Sequence, residues 1–253
     1  MTKDELLEQC TIDGMIVKLP DIQLERTLYM QVNKALQGIG GKWNRKEQGF
    51  VFQQDPSALL GRVQNGENVN LKKEFQFFAT PDDLADELVS LLDLGEKGSI
   101  PNFDILEPSA GDGALIKAIH RAHSDTVEIF AIEKMDLNRT KLKEIPNVQL
   151  SKHDDFTTLL EVFPDSRFNA IIANPPFSKN QDIDHIRLMY DVLEDGGRMV
   201  SIASGHWKDS SNKKETAFRQ WLQEVGAELT EIERGRFKES GTLVGGYIIV
   251  IDK

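Results

Sequence analysis

Residues 174 to 177 read Asn-Pro-Pro-Phe and follow Phe168 to Ala173, a β-branched, apolar run with the character of a buried strand. Two consecutive prolines remove two backbone donors and stop regular pairing, so sheet stability does not explain the tetrapeptide. Its chemistry does. The side-chain oxygen of Asn174 and the backbone oxygen of Pro175 can accept both hydrogens of one amine. An exocyclic amine conjugated to an aromatic ring is a poor nucleophile, because its lone pair is delocalised. Holding both hydrogens makes the nitrogen more tetrahedral and aims the lone pair for in-line displacement. The fixed φ of Pro175 and Pro176 presets the direction of the carbonyl, and Phe177 supplies a flat face on which a base can stack. No strong general base is needed, since the proton can leave once the amine is cationic.

Such a group needs elements that hold it against a second ligand. From about residue 100, β-branched runs alternate with amphipathic stretches at helical spacing. Strands are expected at 103–107, 127–132, 147–150, 168–173, 197–203, 227–233 and 246–251, with helices at 113–123, 136–144, 157–163, 181–194 and 212–224. This alternation predicts an α/β fold, a seven-stranded, mostly parallel, doubly wound sheet with helices on both faces. The last two strands lack an intervening helix and are expected to pair antiparallel. Residues 1–70 differ: the helical stretch 24–38 precedes "IGGKWNRKEQGFVFQQDP", in which glycines bracket two aromatic runs around a basic turn. This predicts a small α+β unit of helix plus hairpin, with 64–70 as a linker to a second domain at 71–253.

Ligands of open α/β sheets bind beyond the carboxyl ends of the strands, and those ends carry acids here. The first strand runs into Glu107, Pro108, Ser109, Ala110, Gly111, Asp112 and Gly113, a glycine turn that lets backbone approach a ligand at the next helix. The turn lacks the third glycine of a dinucleotide loop, and Glu107 would repel a pyrophosphate. It suits a cationic, amino-acid-bearing ligand such as S-adenosylmethionine. Glu133 ends the second strand, where a carboxylate can accept from both ribose hydroxyls. After the third strand, Asp155 is placed to accept from an adenine amino group, with Phe156 against the ring.

In that order, Glu107 to Gly113, Glu133, Asp155-Phe156 and Asn174 to Phe177 resemble the class I S-adenosylmethionine-dependent methyltransferases, in the amino-methylating group with an Asn-Pro-Pro-aromatic motif. Upstream, "FFATPDDLADEL" at 77–88 resembles the Phe-x-Thr-Pro segment of N6-adenine DNA methyltransferases of the gamma arrangement. The resemblance covers about residues 75 to 252. It implies that Phe78, Thr80 and Pro81 contact the methionine part of the cofactor, and that Asn174 also borders the cofactor. Read from the residues alone, Thr80 is an N-cap and Pro81 the first helical residue. The implied activity is methyl transfer to adenine N6 in DNA with base flipping. Related motifs serve RNA bases and protein glutamine, and a non-catalytic cofactor-binding module is the alternative of another class. Only 76 residues follow Phe177, too few for a sizeable target-recognition domain. An enzyme built this way is expected to read little sequence, to borrow specificity from a partner, or to use its N-terminal unit for it.

Thirty Lys and Arg stand against 41 Asp and Glu, a net charge of −11 that argues against a protein coating nucleic acid non-specifically. Local basic rims remain compatible with a nucleic-acid enzyme. The loops after the fifth and sixth strands bring Trp207, Lys208, Lys213, Lys214, Arg234, Arg236 and Lys238 to the carboxyl ends of their strands, where they are expected to border the cleft of Asn174 and contact substrate phosphates. In the N-terminal unit Lys42, Trp43, Arg45 and Lys46 stand beside Phe50 and Phe52, a mixture that suits either nucleic acid or a small core. A single cysteine, Cys10, excludes an internal disulfide and a thiolate cluster. His120 and His123 read as a solvated helix face, so no metal is expected. The charged N-terminus and the absence of an 18-residue apolar run lead to an expectation of a cytoplasmic protein without a membrane partner.

Overall fold

The computed structural model describes residues 1–52, 55–71, 80–95, 103–124, 127–162, 164–237 and 245–253. Phe78 and Lys238, named above, and Phe163, at the end of one expected helix, lie outside these. The chain divides into two compact units, Met1–Phe77 and Phe78–Lys253.

In the first unit, α1 (Lys3–Glu8) starts with a capping box between Thr2 and Glu5. Strands β1 (Thr11–Asp13) and β2 (Ile16–Lys18) then form a hairpin through Gly14, which has φ +56°. Helix α2 (Arg26–Gly38) leads into the expected hairpin of β3 (Lys42–Asn44) and β4 (Gly49–Val51), and α3 (Ser57–Gln64) follows. The sheet order is β1-β2-β4-β3, antiparallel throughout. Leu6, Leu7, Val17, Val32, Leu36, Phe50, Leu60 and Val63 form its core. Within the stretch expected as a linker, α3 ends at Gln64, residues 65–68 are exposed and Val69 is buried in the same core.

The second unit opens with α4 (Asp82–Leu92), whose Leu84, Ala85, Leu88 and Val89 lie on one buried face. Then come β5 (Ile105–Glu107), α5 (Ala114–Ala122), β6 (Ile129–Ala131), α6 (Asp136–Leu142) and β7 (Val148–Leu150). A short 3₁₀ turn, Phe156–Thr158, leads into α7 (Leu159–Val162) and β8 (Phe168–Ala173). The chain continues through α8 (Gln181–Val192), β9 (Leu193–Ser204), α9 (His206–Asp209), α10 (Lys213–Glu224), β10 (Glu228–Ile232) and β11 (Gly246–Asp252).

The sheet order is β10-β11-β9-β8-β5-β6-β7. The pairs from β9 to β7 are parallel, whereas β11 is antiparallel to both β9 and β10. The seven-stranded, mostly parallel sheet and the antiparallel pairing of its last two strands are as expected, and the last strand lies between β9 and β10. Period-2 alternation splits each central strand between two cores. Ile105, Ala170, Ile172, Val200 and Ile202 face α4 and α5, while Leu106, Ile171, Ala173, Met199 and Ala203 face α8 and α10. Each of the Val, Leu, Ile and Met side chains among them contributes roughly 1.5–3 kcal/mol on burial, so the register that fixes the strand ends is strongly held. Among the described residues, no helix is long and apolar enough to cross a membrane.

Candidate active site

The acids and Asn174 meet at one edge because parallel strands end together. Glu107 closes β5, Glu133 lies two residues past β6, Asp155 follows β7, and Asn174 follows the last residue of β8. The glycine turn is tied to this edge by backbone: Ile132 N–H donates to the Glu107 carbonyl at 2.9 Å, and Ala110 N–H to the Ile132 carbonyl at 2.9 Å. Gly113, with φ +82°, precedes the first turn of α5, and a Cβ there would lie 2.4 Å from Ile145 Cδ1. The left-handed backbone favours glycine here, and a side chain would also have to displace the Ile145 methyl.

Glu133 shapes the turn as well as lining it. Its Oε2 accepts from Gly111 N–H at 2.7 Å and its Oε1 from Met135 N–H at 2.6 Å. Burial nonetheless pushes its carboxyl above the usual range, against these hydrogen bonds. Glu107 is 2% exposed, and its Oε2 has no hydrogen-bond partner among the described residues. Burial raises its carboxyl well above the ordinary value, and the nearby Glu133 and Asp112 add to the effect. A buried acid with an unmet acceptor, beside a second acid, fits a ligand with a cationic end and paired hydroxyls. The Glu107–Glu133 turn therefore fits the cofactor expected from the sequence.

Asp155 is half-exposed and caps the 3₁₀ turn, accepting from Thr157 N–H at 3.0 Å and from Lys134 Nζ at 3.0 Å. Desolvation pushes its carboxyl up, but these bonds from Thr157 and Lys134 prevail and hold it low. Phe156 departs from expectation. It is 2% exposed and packs in the α8-side core with its ring 5.5 Å from that of His185, so it is a core residue beneath the edge.

Asn174 is half-buried, and its Nδ2 donates to Thr80 Oγ1 at 3.1 Å. This corrects the capping role for Thr80. Pro81 occupies the N-cap of α4 without a side-chain cap, and the Thr80 hydroxyl serves the tetrapeptide instead. Pro175 is buried, while Pro176 and Phe177 are half-buried, with Phe177 against the α4-side core. Beyond them Lys179 and Asn180 both adopt left-handed backbone, at φ 55° and 58°. A clamp holds this uncommon turn: Asn180 Nδ2 donates to Glu215 Oε1 at 2.7 Å, and Lys214 Nζ donates to the Asn180 carbonyl at 3.0 Å and to Asp184 Oδ2 at 2.6 Å. Asp182, buried in the first turn of α8, accepts from Ser204 N–H at 2.8 Å and fastens the loop to the end of β9. These partners lie 22 to 35 residues apart, and sequence spacing gave no signal for them.

The basic rim is only partly realised. Lys208, Lys213 and Arg234 make no ion pair among the described residues, and Lys213 and Arg234 are exposed. Lys208 lies over the ring of Tyr247, which sequence reasoning missed, at 5.1 Å. A cleft of about 630 Å³ beyond β9 is lined by Lys208, Arg234 and Tyr247 and also by Asp209 and Glu231. Three residues depart from the expected role. Trp207 is 1% exposed, enclosed by Phe218 and Tyr247, because the short α9 turns it into the core. Arg236 donates to Asp83 at 2.8 Å and Glu87 at 3.0 Å, and so anchors α4. Lys214 belongs to the clamp. His120 also differs from the solvated reading, since a ring nitrogen lies 3.1 Å from the Val127 carbonyl. Among the described residues, no group of His, Cys, Asp and Glu is placed to hold a metal ion.

His185, 7% exposed behind this edge, is held low by burial, down to about 4, although Asp155 and Asp184 oppose the shift. Between about 4 and the unfolded value near 6.5, folding must strip its proton. Its contribution is therefore fully present above 6.5 and lost as pH falls toward 4. Replacing it with leucine is expected to reduce the stability loss between pH 7 and pH 5.5 by about 1 kcal/mol, read from urea unfolding at the two values. Equal losses in both proteins would refute this.

No protein-family model matches the chain, and no curated protein matches it. Solved structures do. The methyltransferase subunit of a type I restriction-modification system from Streptococcus thermophilus superposes with TM-score 0.59 at 21% identity, covering 69% of this chain and 44% of that one. The O-methyltransferase TomG from Streptomyces achromogenes, solved in complex with S-adenosylmethionine, gives 0.50 at 14% identity over 91% and 100% of the two chains. A Pyrococcus horikoshii protein assigned as an RNA methyltransferase gives 0.51 at 20%, over 73% and 88%. The chain has the class I methyltransferase fold. It spans under half the length of the restriction-modification subunit. In this methyltransferase fold the acids and Asn174 occupy the carboxyl edge where ligands of open α/β sheets bind.

Proposed function

We propose that the chain is an S-adenosylmethionine-dependent methyltransferase acting on the exocyclic N6 amine of adenine in DNA, with the base flipped out of the helix. The observation that carries the reading is Asn174, fixed by Thr80 at the end of β8 on the same edge as Glu107 and Glu133. When bound, the cofactor supplies a methyl group on a sulfonium, with Glu107 toward its cationic end, Glu133 at the ribose hydroxyls and Asp155 at the adenine amino group.

The chain's own residues do the rest. With its amide nitrogen committed to Thr80, Asn174 turns its amide oxygen toward one amine hydrogen, and the Pro175 carbonyl takes the other. The nitrogen lone pair is then directed by two fixed acceptors, at no reorganisation cost at the moment of reaction. Phe177 stacks on the flipped ring. Lys208, Lys213 and Arg234 meet the phosphates on either side. A separate specificity partner is compatible with this reading.

The test is to offer methyl-labelled cofactor with double-stranded DNA, single-stranded DNA, RNA and protein extract, and to identify the modified atom by mass spectrometry. Label on adenine N6 of DNA supports the proposal. Label confined to RNA or glutamine would move the substrate, and no label in any pool would favour a cofactor-binding module. A subsidiary expectation concerns Thr80. Thr80→Val deprives Asn174 Nδ2 of its acceptor, a loss worth about 1–1.5 kcal/mol, and should lower kcat about tenfold with little change in cofactor affinity. Thr80→Ser should restore most of it in single-turnover assays, and equal defects in the two variants would remove the role given to the hydroxyl.

A further inference from the structure

The first unit carries a surface that the methyl-transfer reading leaves unused. Between Met1 and Phe77 there are ten Lys and Arg and ten Asp and Glu, so the whole net charge of −11 belongs to residues 78–253. Within that neutral unit the charges are unevenly placed. Lys42, Arg45 and Lys46 cluster on the β3–β4 hairpin with Glu47 as the only acid of the turn, and all of residues 42–48 are exposed. None of the three cations makes an ion pair among the described residues, although acids outnumber bases across the chain.

Between the cations stands Trp43, 45% exposed on β3, an edge strand of its sheet. Its indole is not loose. It pairs across the hairpin with Phe50, and the two rings meet in a T-shaped arrangement, centroids 5.2 Å apart and planes at 69°. The turn beside it is fixed as well: Asn44 Oδ1 accepts from Lys46 N–H at 2.8 Å and Glu47 N–H at 3.2 Å, which sets the direction of the basic residues. An aromatic face held in place by packing loses little freedom on binding a flat ring. Unpaired cations flanking such a face suit an anionic polymer of flat rings.

We infer that the β3–β4 hairpin binds a single strand of nucleic acid, with a base stacked on Trp43 and the phosphates on either side met by Lys42, Arg45 and Lys46. A strand is favoured over a duplex because a paired base has both faces already stacked, leaving the indole nothing to cover. The inference is independent of methyl transfer: a chain that never methylates would still bind through this surface.

The test uses the full chain and a fluorescent 20-nucleotide single strand, its duplex, and anisotropy titrations across a range of salt. Because Trp43 also covers Phe50, alanine there could disturb folding, so the exposed triple variant Lys42→Gln/Arg45→Gln/Lys46→Gln and Trp43→Phe carry the argument. The triple variant should weaken single-strand binding at least tenfold and reduce the log–log salt slope by about 2, as expected for three lost phosphate contacts. Trp43→Phe should bind within about threefold of the parent and Trp43→Leu at least fivefold worse, since stacking needs a ring. Running the same titrations in an Asn174→Ala background separates this proposal from the catalytic one, because hairpin binding should persist there. The idea is overturned if the triple variant keeps parental affinity and slope, if only the duplex binds, or if the hairpin substitutions change self-association instead of oligonucleotide binding.

Discussion

Asn174→Ala is expected to lower kcat by about 10³-fold or more while cofactor affinity changes by no more than a few-fold. The magnitude follows from the assigned role: the amide oxygen acts on the amine only as its nitrogen develops charge, and removing one such preorganised partner costs on the order of 10²–10³ in rate. The Pro175 carbonyl alone cannot orient two hydrogens, so the loss belongs at the upper end. Asn174→Asp keeps an oxygen but adds a negative charge to an edge that already carries Glu107 and Glu133, so partial recovery at most is expected. The measurement is single-turnover methyl transfer alongside calorimetric titration with S-adenosylmethionine. A variant whose main defect lies in cofactor binding would show that Asn174 belongs to the cofactor site and not to the amine.

Glu133→Gln should raise the cofactor Kd about 100-fold and lower the melting temperature, although the two side chains have nearly the same shape. Both carboxylate oxygens accept backbone N–H groups, from Gly111 and from Met135. A glutamine amide offers one oxygen and one NH₂, so one backbone N–H faces another donor at about 2.7 Å. An unsatisfied buried donor costs roughly 1–3 kcal/mol, and here it also loosens the turn proposed to carry the cofactor. The charged acceptor proposed for the ribose hydroxyls disappears in the same change. Titration calorimetry reads the affinity, and thermal unfolding with and without cofactor separates loss of fold from loss of binding. Parental affinity in the variant would mean that Glu133 serves the turn alone.

Much of this was legible before the structure. The β8 run ending in Asn174, and acids after each of the three preceding strands, placed one edge of a doubly wound sheet because side-chain alternation and strand length are local properties. The β1–β2 hairpin was also written in the sequence, with Gly14 and Met15 as the two-residue turn between the paired Asp13 and Ile16, and was overlooked for its short strands. Other features were not legible. Trp207 and Phe156 look like ligand platforms in one dimension, and only the turn of α9 and the packing of α8 decide that they face inward. Arg236 and Lys214 look like phosphate contacts until Asp83, Glu87 and Asp184 are brought beside them by chain 30 to 153 residues away.

The sequence by itself determined the order of elements, the edge at which the acids and Asn174 gather, and the surplus of negative charge in the second unit. Periodicity, proline and glycine act over a few residues, and their consequences can be read locally. The tertiary structure alone decided which polar groups are free to meet a ligand. The Thr80 hydroxyl reaches Asn174 across 94 residues, Glu133 is shared between the turn and the site, and Asn180 is held by Glu215 across 35. Hydrogen bonds and ion pairs form between whatever groups the folded backbone brings within about 3 Å, and that distance depends on the packing of the sheet and its helices. The tetrapeptide is therefore a motif in sequence, but it acquires a fixed orientation only from residues far from it along the chain.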